Sequence, residues 1–438
     1  MGDALYIPQT AGDIANVPGI IPSADVQAAL NFLAGQITTS NNPYGFINAS
    51  NYGVASSITT TTLSASLNSG SNLATVASTN TFAIGHGVAI AGAGANGGEL
   101  ITSIQAINGN VLTLATNAIT TANAGHTVYH DDTAGLQAAI NSNNPIIFVG
   151  PCNITSPLQN TASLVLKGVS MASSYIYTRR TNIDGLLIKA NALLRDFSIY
   201  SDPLITTTAG AAIHAKNPSA PAINVDIENV SAYGYEGIYA EGATLGQIVR
   251  SWPMGVLNGL HINTPMPYGG WGLTSLQCYV SGAGGWSCFI DQIDTSRMTD
   301  VNITANNQGG GLKIGGASGY CNNLMVNIIT IENCSGKNLS IGETGGTPRW
   351  CKLSNVEINI GTGAFFGSNA LQCSLINSAL LTGGVSVAGM KNKVSLVSVN
   401  SGTITIVSGA SKCTVTENDT YSAVVDNGTG SIVANNVV

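Results

Sequence analysis

The chain has 438 residues, of which 44% are apolar, 6% aromatic and 8% charged, whereas ordinary globular domains are about 25% charged. Lys and Arg number 15 and Asp and Glu 22, so the net charge is −7, and no basic stripe could neutralise nucleic-acid phosphates. This excludes DNA and RNA as partners. Because Gly, Asn, Thr or Ser interrupts every apolar run, the sequence also predicts no membrane span.

The first 43 residues are punctuated by Pro and contain one short amphipathic helix. Ser23 is a suitable N-cap for this helix, and Val26, Leu30 and Leu33 follow on one side. The segment lacks the basic and apolar regions of a secretory signal, so we expect the chain to fold in a cytoplasm. Its eight cysteines are therefore expected to be thiols. Because they form no Cys-x-x-Cys pair, we predict no metal site and no cofactor.

Residues 44–130 are predicted to form a small all-β domain, because short apolar runs such as those from Gly85 and Asn110 alternate with Gly-rich turns. A second helix is predicted to begin at Asp131 and Asp132. Carboxylates at a helix N-terminus oppose the helix dipole, so we expect these two to be structural.

After this helix, a short motif of alternating β-branched and polar residues recurs along the chain. It begins at Phe197, Val230, Val301, Ile329, Val356, Ile376, Val397 and Val415. The steps between successive motifs are 33, 71, 28, 27, 20, 21 and 18 residues, and no long helical segment separates them. Each motif predicts a strand with one face buried.

Strands that repeat at this spacing without crossover helices predict a parallel β-helix. We assign residues 131–415 to this solenoid, with the helix from Asp131 as its N-terminal cap and residues 416–438 as a C-terminal cap. The Gly-rich segment from Gly309 is predicted to be a turn. An antiparallel sandwich is the alternative fold, although the two-residue hairpin turns that it favours are scarce.

Several segments before and at the start of the solenoid resemble the opening of the pectate-lyase-like superfamily, as found in bacteriophage tailspikes. They are Tyr52-Gly53 and the segments 131–140, 146–158 and 164–168. The sequence departs from that pattern twice, because residues 54–129 are inserted after Gly53 and because Gly150-Pro151 reverses the usual order. Residues 20–33 are similar to a short element of phage tail fibres.

The resemblance implies a right-handed, single-stranded β-helix, in agreement with the general handedness of parallel crossovers. It also implies a homotrimer, which residues 1–43 would help to assemble and attach to a phage tail or baseplate protein. Trimer formation is expected on physical grounds as well, since an isolated charge-poor solenoid would expose apolar patches. The expected location is the virion tail, assembled in the host cytoplasm and acting at the bacterial cell surface.

Aromatic residues concentrate in the longest interval between the predicted strands, where solenoids carry binding loops. A flat aromatic ring can stack on the C–H face of a sugar, so this window predicts substrate binding. The predicted residues are Trp252, His261, Tyr268, Trp271 and Trp286, with Arg297 from the segment that follows. Alternatively, the aromatics are buried between subunits, because oligomer interfaces also favour Trp and Tyr.

The densest charge cluster of the chain follows this window. Glycoside hydrolysis needs two carboxyl groups, one protonated as acid and one ionised as base or nucleophile. We predict Asp291 and Asp294 in these roles. Glu236 or Glu241 is a third candidate from an earlier coil, because outward residues on stacked coils lie about 4.8 Å apart. The alternative is a solvated corner at which Asp side chains cap turns.

These features predict a tailspike or tail fibre that binds host surface polysaccharide (lipopolysaccharide, capsule or exopolysaccharide) and depolymerises it by glycoside hydrolysis. One alternative is a receptor-binding or structural fibre without catalysis. Another is a polysaccharide lyase, which needs a base near neutral pKa and a cation or phenol beside the uronate. Residues of these kinds occur at His214, Lys216, Tyr233, Tyr235 and Arg250, but no short spacing singles them out.

Overall fold

The computed structural model describes residues 45–201, 208–218, 221–265, 270–306, 308–316, 319–420 and 422–438. The helix predicted within residues 1–43 lies outside them. The described chain forms a parallel β-solenoid of about ten turns, a small antiparallel sheet and one α-helix. The predicted β-helix is confirmed, and the sandwich is excluded because the strands of neighbouring coils pair in parallel. No helix among the described residues is long and apolar enough to cross a membrane.

Each coil contributes short strands to three faces, named A, B and C in chain order. The strands that lie only on face A are Ile47–Asn48, Ile146–Phe148, Leu164–Gly168, Thr244–Val249, Thr414–Thr416 and Ile432–Ala434. Longer strands run along face A, bend at the corner and continue on face B. They are Ala192–Ser201, Trp271–Val280, Arg297–Thr304, Met325–Glu332, Lys352–Ile358, Ser374–Leu380 and Lys393–Val399. Face B alone contains Pro151–Ile154, Tyr175–Thr178 and Asp419–Thr420.

Two long strands turn further around the solenoid. Ile223–Gly242 passes through all three faces, and Trp252–Asn263 passes through faces B and C. The other strands of face C are Leu158–Asn160, Leu186–Ile188, Ala211–Asn217, Trp286–Asp294, Gly310–Ile314, Leu339–Ile341, Gly363–Phe366, Gly384–Val387, Ile404–Ile406 and Val425–Asp426. Tyr320–Asn322 and Thr347–Arg349 continue from the end of Trp286–Asp294 in a further short sheet. The segment from Gly309 is therefore largely strand, and its prediction as a turn is wrong.

A residue with positive φ turns the chain from face A to face B in successive coils. These corner residues are Asp196, Asn229, Arg250, Ser275, Asp300, Ile328, Asn355, Asn377, Leu396, Glu417 and Asn435, with φ between 47° and 60°. Asn and Asp tolerate this left-handed conformation better than other non-Gly residues. The same bend in every coil keeps the faces in register.

The core runs through the solenoid as stacked apolar side chains. Most of the predicted motifs begin at the first inward position of face B and stack directly, as Phe197 does on Val230 and Val301 on Ile329. Ile376 and Val415 instead lie on face A, before the corner. All eight cysteines are free and buried, which confirms their prediction as thiols.

The helix Thr133–Asn141 covers the start of the solenoid. Its buried residues Leu136, Ala139 and Ile140 belong to the same apolar cluster as the first coils. Gln137 also pairs with the backbone of Gln159 on the first strand of face C, because its amide donates to the carbonyl at 2.8 Å and its oxygen accepts from the N–H at 2.9 Å. The helix thus satisfies a strand edge that would otherwise be open.

Asp131 and Asp132 are structural, although not as simple helix caps. Asp132 accepts from the backbone N–H of Ala55 at 2.6 Å and of Asn153 at 3.0 Å, while Asp131 accepts from the N–H of Thr133. Burial raises the pKa of both carboxyl groups, that of Asp132 to about 7. The pair ties the segment before the antiparallel sheet to the helix and the first coil.

The antiparallel sheet interrupts a solenoid that has already begun, because Ile47–Asn48 pairs with Ile146–Phe148 beyond it. Its strands are Thr60–Thr62, Leu73–Thr75, Gly87–Ile90, Leu100–Asn108, Val111–Leu114 and Thr127–His130, with short 3-10 helices at Ala49–Tyr52 and Ala95–Gly97. At the other end, Thr414–Thr416 pairs with Ile432–Ala434. The coil pairing therefore continues past residue 415, into the segment predicted as a C-terminal cap.

Candidate active site on face C

Face C brings together five of the residues that the sequence predicted. They are Glu236, Glu241, His261, Trp286 and Asp291, which lie on the strands Ile223–Gly242, Trp252–Asn263 and Trp286–Asp294 of successive coils. Parallel pairing in register places equivalent outward side chains directly above one another. Residues far apart in sequence thereby become neighbours.

The centre of this face is a ladder of stacked rings. His214, Tyr239, His261 and Phe289 are register partners in four successive coils. Their ring centroids lie 4.7, 4.4 and 4.6 Å apart, with interplanar angles of 20°, 17° and 15°. This close stacking fixes the orientation of the His261 imidazole.

Glu236 and Asp291 lie diagonally on either side of His261. Glu236 is on the preceding coil, three residues before Tyr239, and Asp291 is on the following coil, two residues after Phe289. Glu236 Oε1 accepts from Asn258 Nδ2 at 3.0 Å and lies 3.5 Å from His261 Nδ1, too far for a well-formed hydrogen bond. The two carboxylates thus approach one imidazole from two directions.

Buried polar atoms of these three residues lack hydrogen-bond partners. They are Glu236 Oε2, both ring nitrogens of His261, and Asp291 Oδ1. A buried polar atom without a partner costs about 1–3 kcal/mol, so native proteins rarely leave several together unless a ligand or water completes them. The arrangement is typical of a site that binds a polar molecule.

Asp291 occupies a β-bulge, a feature that often re-aims a side chain beside a functional site. Ile262 pairs with Ile290 and Asn263 with Gln292, so Asp291 is the additional residue. Burial raises the pKa of its carboxyl group, while the positive charges of His261 and Lys313 lower it. Gly316 leaves room for the carboxylate, since a Cβ there would lie 1.7 Å from Asp291 Oδ1.

A cavity of about 360 Å³ is lined in part by Trp286, Lys313, Lys337 and Glu343. Lys313 is the next member of the ladder after Phe289, and its Nζ lies 4.7 Å from the Phe289 ring centroid and 5.7 Å from that of Trp286. Lys337 forms an ion pair with Glu343. The cavity offers an aromatic wall and hydrogen-bond donors.

Glu241 is already engaged at the other end of the ladder. Its Oε2 lies 2.9 Å from His214 Nε2 and 3.3 Å from Lys216 Nζ. Asp184 approaches the other ring nitrogen of His214, at 2.9 Å. Glu241 Oε2 is therefore held by two close partners, whereas Glu236 Oε2 has none, and Glu236 is the better candidate for the second carboxylate.

The remaining predicted residues lie elsewhere. Between Ile290 and Ile293, the strand Trp286–Asp294 leaves face C and joins the further short sheet. Asp294 therefore lies at the next corner, where its Oδ1 accepts from the Thr295 hydroxyl. Arg297 is exposed at the start of the next face A. The sequence predicts that Asp291 and Asp294 act together, but the structure places them on different sheets.

The aromatic window also differs from expectation, because it consists largely of coil strands. Trp271 points inward on face A and is 2% exposed, so the prediction that it stacks on a sugar is corrected. Trp252 is 36% exposed on face B, away from the ladder. Tyr268 lies outside the described residues.

Three residues at this site, Tyr239, Asn258 and Lys313, are not predicted from the sequence. Lys313 lies in the glycine-rich segment from Gly309, whose composition predicts a turn. The coil spacing is the signal that could have identified Lys313. Phe289 stacks on His261 one coil earlier, and Lys313 stacks on Phe289 one coil later.

The molecule is thus a parallel β-helix whose face C carries carboxylates, an imidazole and an aromatic-walled cavity. Among solved structures, those similar to this chain include phage tailspikes and glycoside hydrolases. No family model matches the sequence, and no curated protein matches it.

Three of these structures illustrate the likeness. Tailspike protein 2 of Escherichia coli O157:H7 bacteriophage CAB120 has a TM-score of 0.35 and 14% identity, over 73% of this chain and 44% of that one. An α-1,3-glucanase from Streptomyces thermodiastaticus has a TM-score of 0.32 and 10% identity, over 87% of both chains. The N-terminal fragment of bacteriophage Phi29 gene product 12 has a TM-score of 0.32 and 14% identity, over 69% of both.

Proposed function

We propose that this protein binds a polysaccharide on face C and cleaves it by glycoside hydrolysis, with Asp291 as the general acid and Glu236 as the general base. The observation that carries this proposal is the group of unpaired buried polar atoms on Glu236, His261 and Asp291. Two carboxylates with different surroundings are what acid–base hydrolysis of a glycoside requires.

Burial suits Asp291 to the acid role, because its raised pKa keeps the carboxyl group protonated to higher pH than an ordinary Asp. Asp291 would donate this proton to the glycosidic oxygen as the bond to the anomeric carbon breaks. Glu236 would accept a proton from the water that attacks that carbon. His261, fixed by stacking, would orient the water or a sugar hydroxyl between them.

Register separates the backbones of Glu236 and Asp291 in two directions. They are two coils apart, about 10 Å along the solenoid axis, and about 15 Å apart along the strand direction, because Glu236 stacks through Asn258 on Trp286, five residues before Asp291. The two carboxyl groups would therefore act on one bond by converging on His261, from which Glu236 Oε1 lies 3.5 Å. In the neighbouring cavity, Trp286 would stack on a sugar ring, and Lys313 would donate to its oxygens.

The biological setting that we propose is a phage tailspike or tail fibre. The resemblance at Tyr52-Gly53 and residues 131–168 supports it, and the helix Thr133–Asn141 covers the first coil as that resemblance implies. The substrate would be a host surface polysaccharide. The protein would act as a homotrimer on the virion tail, attached through residues 1–43.

The test is a reducing-end assay on purified host surface polysaccharide with the intact protein, Glu236→Gln and Asp291→Asn. Loss of a general acid or base costs about 100-fold or more in rate. We therefore expect new reducing ends from the intact protein and at least that fall in each variant, with the melting temperature unchanged.

Asp294→Asn is the matched control, since it makes the same substitution on the same strand. Retained activity in this variant supports the pair Glu236 and Asp291, whereas its loss, with Glu236→Gln active, supports the pair predicted from sequence. Products with the ultraviolet absorbance of an unsaturated uronate identify a lyase. Glycan binding without cleavage by the intact protein overturns the catalytic proposal and leaves a receptor-binding fibre.

A further inference from the structure

Face B carries a groove that the proposed reaction does not use. Two depressions of about 570 and 420 Å³ share Trp252, Gln277 and Asn302 along their lining and so form one continuous feature, the face B groove. We propose that this groove is a second carbohydrate site, which holds a neutral stretch of a glycan without cleaving it.

A row of largely aromatic side chains runs along the solenoid into this groove. Tyr177, Tyr200, Tyr233, Met254 and Tyr279 are register partners in five successive coils. One such side chain occurs about every 4.8 Å along the axis. Met254 and Tyr279 of this row line the groove together with Trp252, and they offer apolar surfaces on which sugar rings could stack.

The polar groups of the groove are mostly neutral. Gln277, Asn302 and Thr304 line it with amide and hydroxyl groups, which suit sugar hydroxyls. Of the charged groups at its margin, Arg250 forms an ion pair with Glu228. Neutral hydrogen-bonding groups beside aromatic rings favour a glycan over a nucleic acid, which needs unpaired cations.

The two carboxylates of the groove already accept hydrogen bonds from neighbouring side chains. Asp300 lines one end and Glu332 the other. The register partner of Glu332 is Thr304, four residues beyond Asp300, so the two backbones are about 13 Å apart along the strand direction and one coil apart along the axis. Asp300 accepts from the Ser275 hydroxyl and Glu332 from that of Thr304, whereas Glu236 Oε2 and Asp291 Oδ1 on face C have no partner, so we assign binding without cleavage to this groove.

This inference concerns a different face and does not depend on hydrolysis at face C. It is tested in the double variant Glu236→Gln, Asp291→Asn, in which cleavage is removed and binding can be measured alone. An array of neutral and acidic bacterial surface oligosaccharides is used to compare the binding of this double variant with that of a triple variant that also carries Trp252→Ala. Loss of one stacking interaction predicts an affinity for neutral members weaker by about tenfold.

Trp350→Ala is the matched control, because Trp350 is similarly exposed, at 44%, and lies outside the groove. Gln277→Ala is a second groove variant that removes no large side chain. Weaker binding in both groove variants with binding retained in Trp350→Ala supports the inference.

The inference is overturned if no neutral glycan binds, if Trp252→Ala binds as before, or if it changes the molecular mass in solution, which would make the groove an interface between copies. Glycan binding that depends on Trp252, in a protein whose intact form never cleaves, supports this site while rejecting the proposed reaction.

Discussion

The protonation of Asp291 is governed by opposing effects from a few residues. Burial raises the pKa of its carboxyl group, and the positive charges of His261 and Lys313 lower it. Because a general acid must be protonated, hydrolysis should decline as the pH rises through this pKa. Lys313→Met removes one lowering charge, so we expect the basic limb of the kcat profile to move to higher pH.

The measurement is kcat against pH for the intact protein and Lys313→Met at saturating substrate. Lys352→Met is the control, since it removes an equal charge from face A, away from the ladder. A basic limb that stays in place, or that moves to lower pH, contradicts the assignment of Asp291 as the acid. A change in KM alone would instead indicate that Lys313 contacts the glycan only.

At the scale of the coil, the corner between faces A and B is the element that every turn repeats. Glu417 occupies it with φ of 60° and an exposed side chain. A β-branched residue suits this left-handed conformation poorly, whereas Asn tolerates it. Glu417→Val should therefore lower the free energy of unfolding by about 1 kcal/mol, and Glu417→Asn should raise it slightly.

Both variants are compared with the intact protein by thermal unfolding followed by circular dichroism. Both substitutions are at one exposed position and remove no core contact, so a difference in melting temperature reports the preference for the left-handed conformation. Equal melting temperatures for the Val and Asn variants would mean that the corner tolerates any residue. In that case, the Asn and Asp found there would need another explanation, such as the side-chain bond from Asn377 to Asn355 on neighbouring coils.

For the whole molecule, the sequence predicts the solenoid where inward residues are β-branched and misses it where they are not. The coil at Trp252–Asn263 went unrecognised because its inward positions on face B are Ser251, Pro253 and Gly255. These residues satisfy no strand pattern. The long interval between predicted strands is therefore not a loop but contains this coil. The aromatic residues of the interval lie on face B, on face C and in the core.

The site was predictable in its residue types but not in its pairing. A spacing of three residues suggested that Asp291 and Asp294 act together, yet the strand changes sheet between them. Glu236 and Asp291 meet across His261 because coils stack in register, and coil lengths here are too variable for sequence alone to give that register. Local composition predicts which carboxylates are candidates, and the register of the coils is what favours Glu236 and Asp291 among them.

Exposed apolar side chains of the C-terminal half bear on the assembly of the whole molecule. They include Tyr320, Met325, Ile328, Met390 and Leu396, each 46–52% exposed. A single solenoid would leave these side chains in water, and such patches mark interaction surfaces. We expect them to pack between copies in the homotrimer that we propose.

Sedimentation equilibrium should then give about three times the chain mass of 44.6 kDa. Met325→Glu combined with Leu396→Glu should dissociate the trimer, because each copy would bury two new charges without partners. Leu396→Glu keeps the corner geometry, since Glu417 occupies the equivalent corner of the next coil with φ of 60°. An intact protein that sediments as a monomer contradicts the proposed trimer, and a double variant that remains trimeric places the interface on another face.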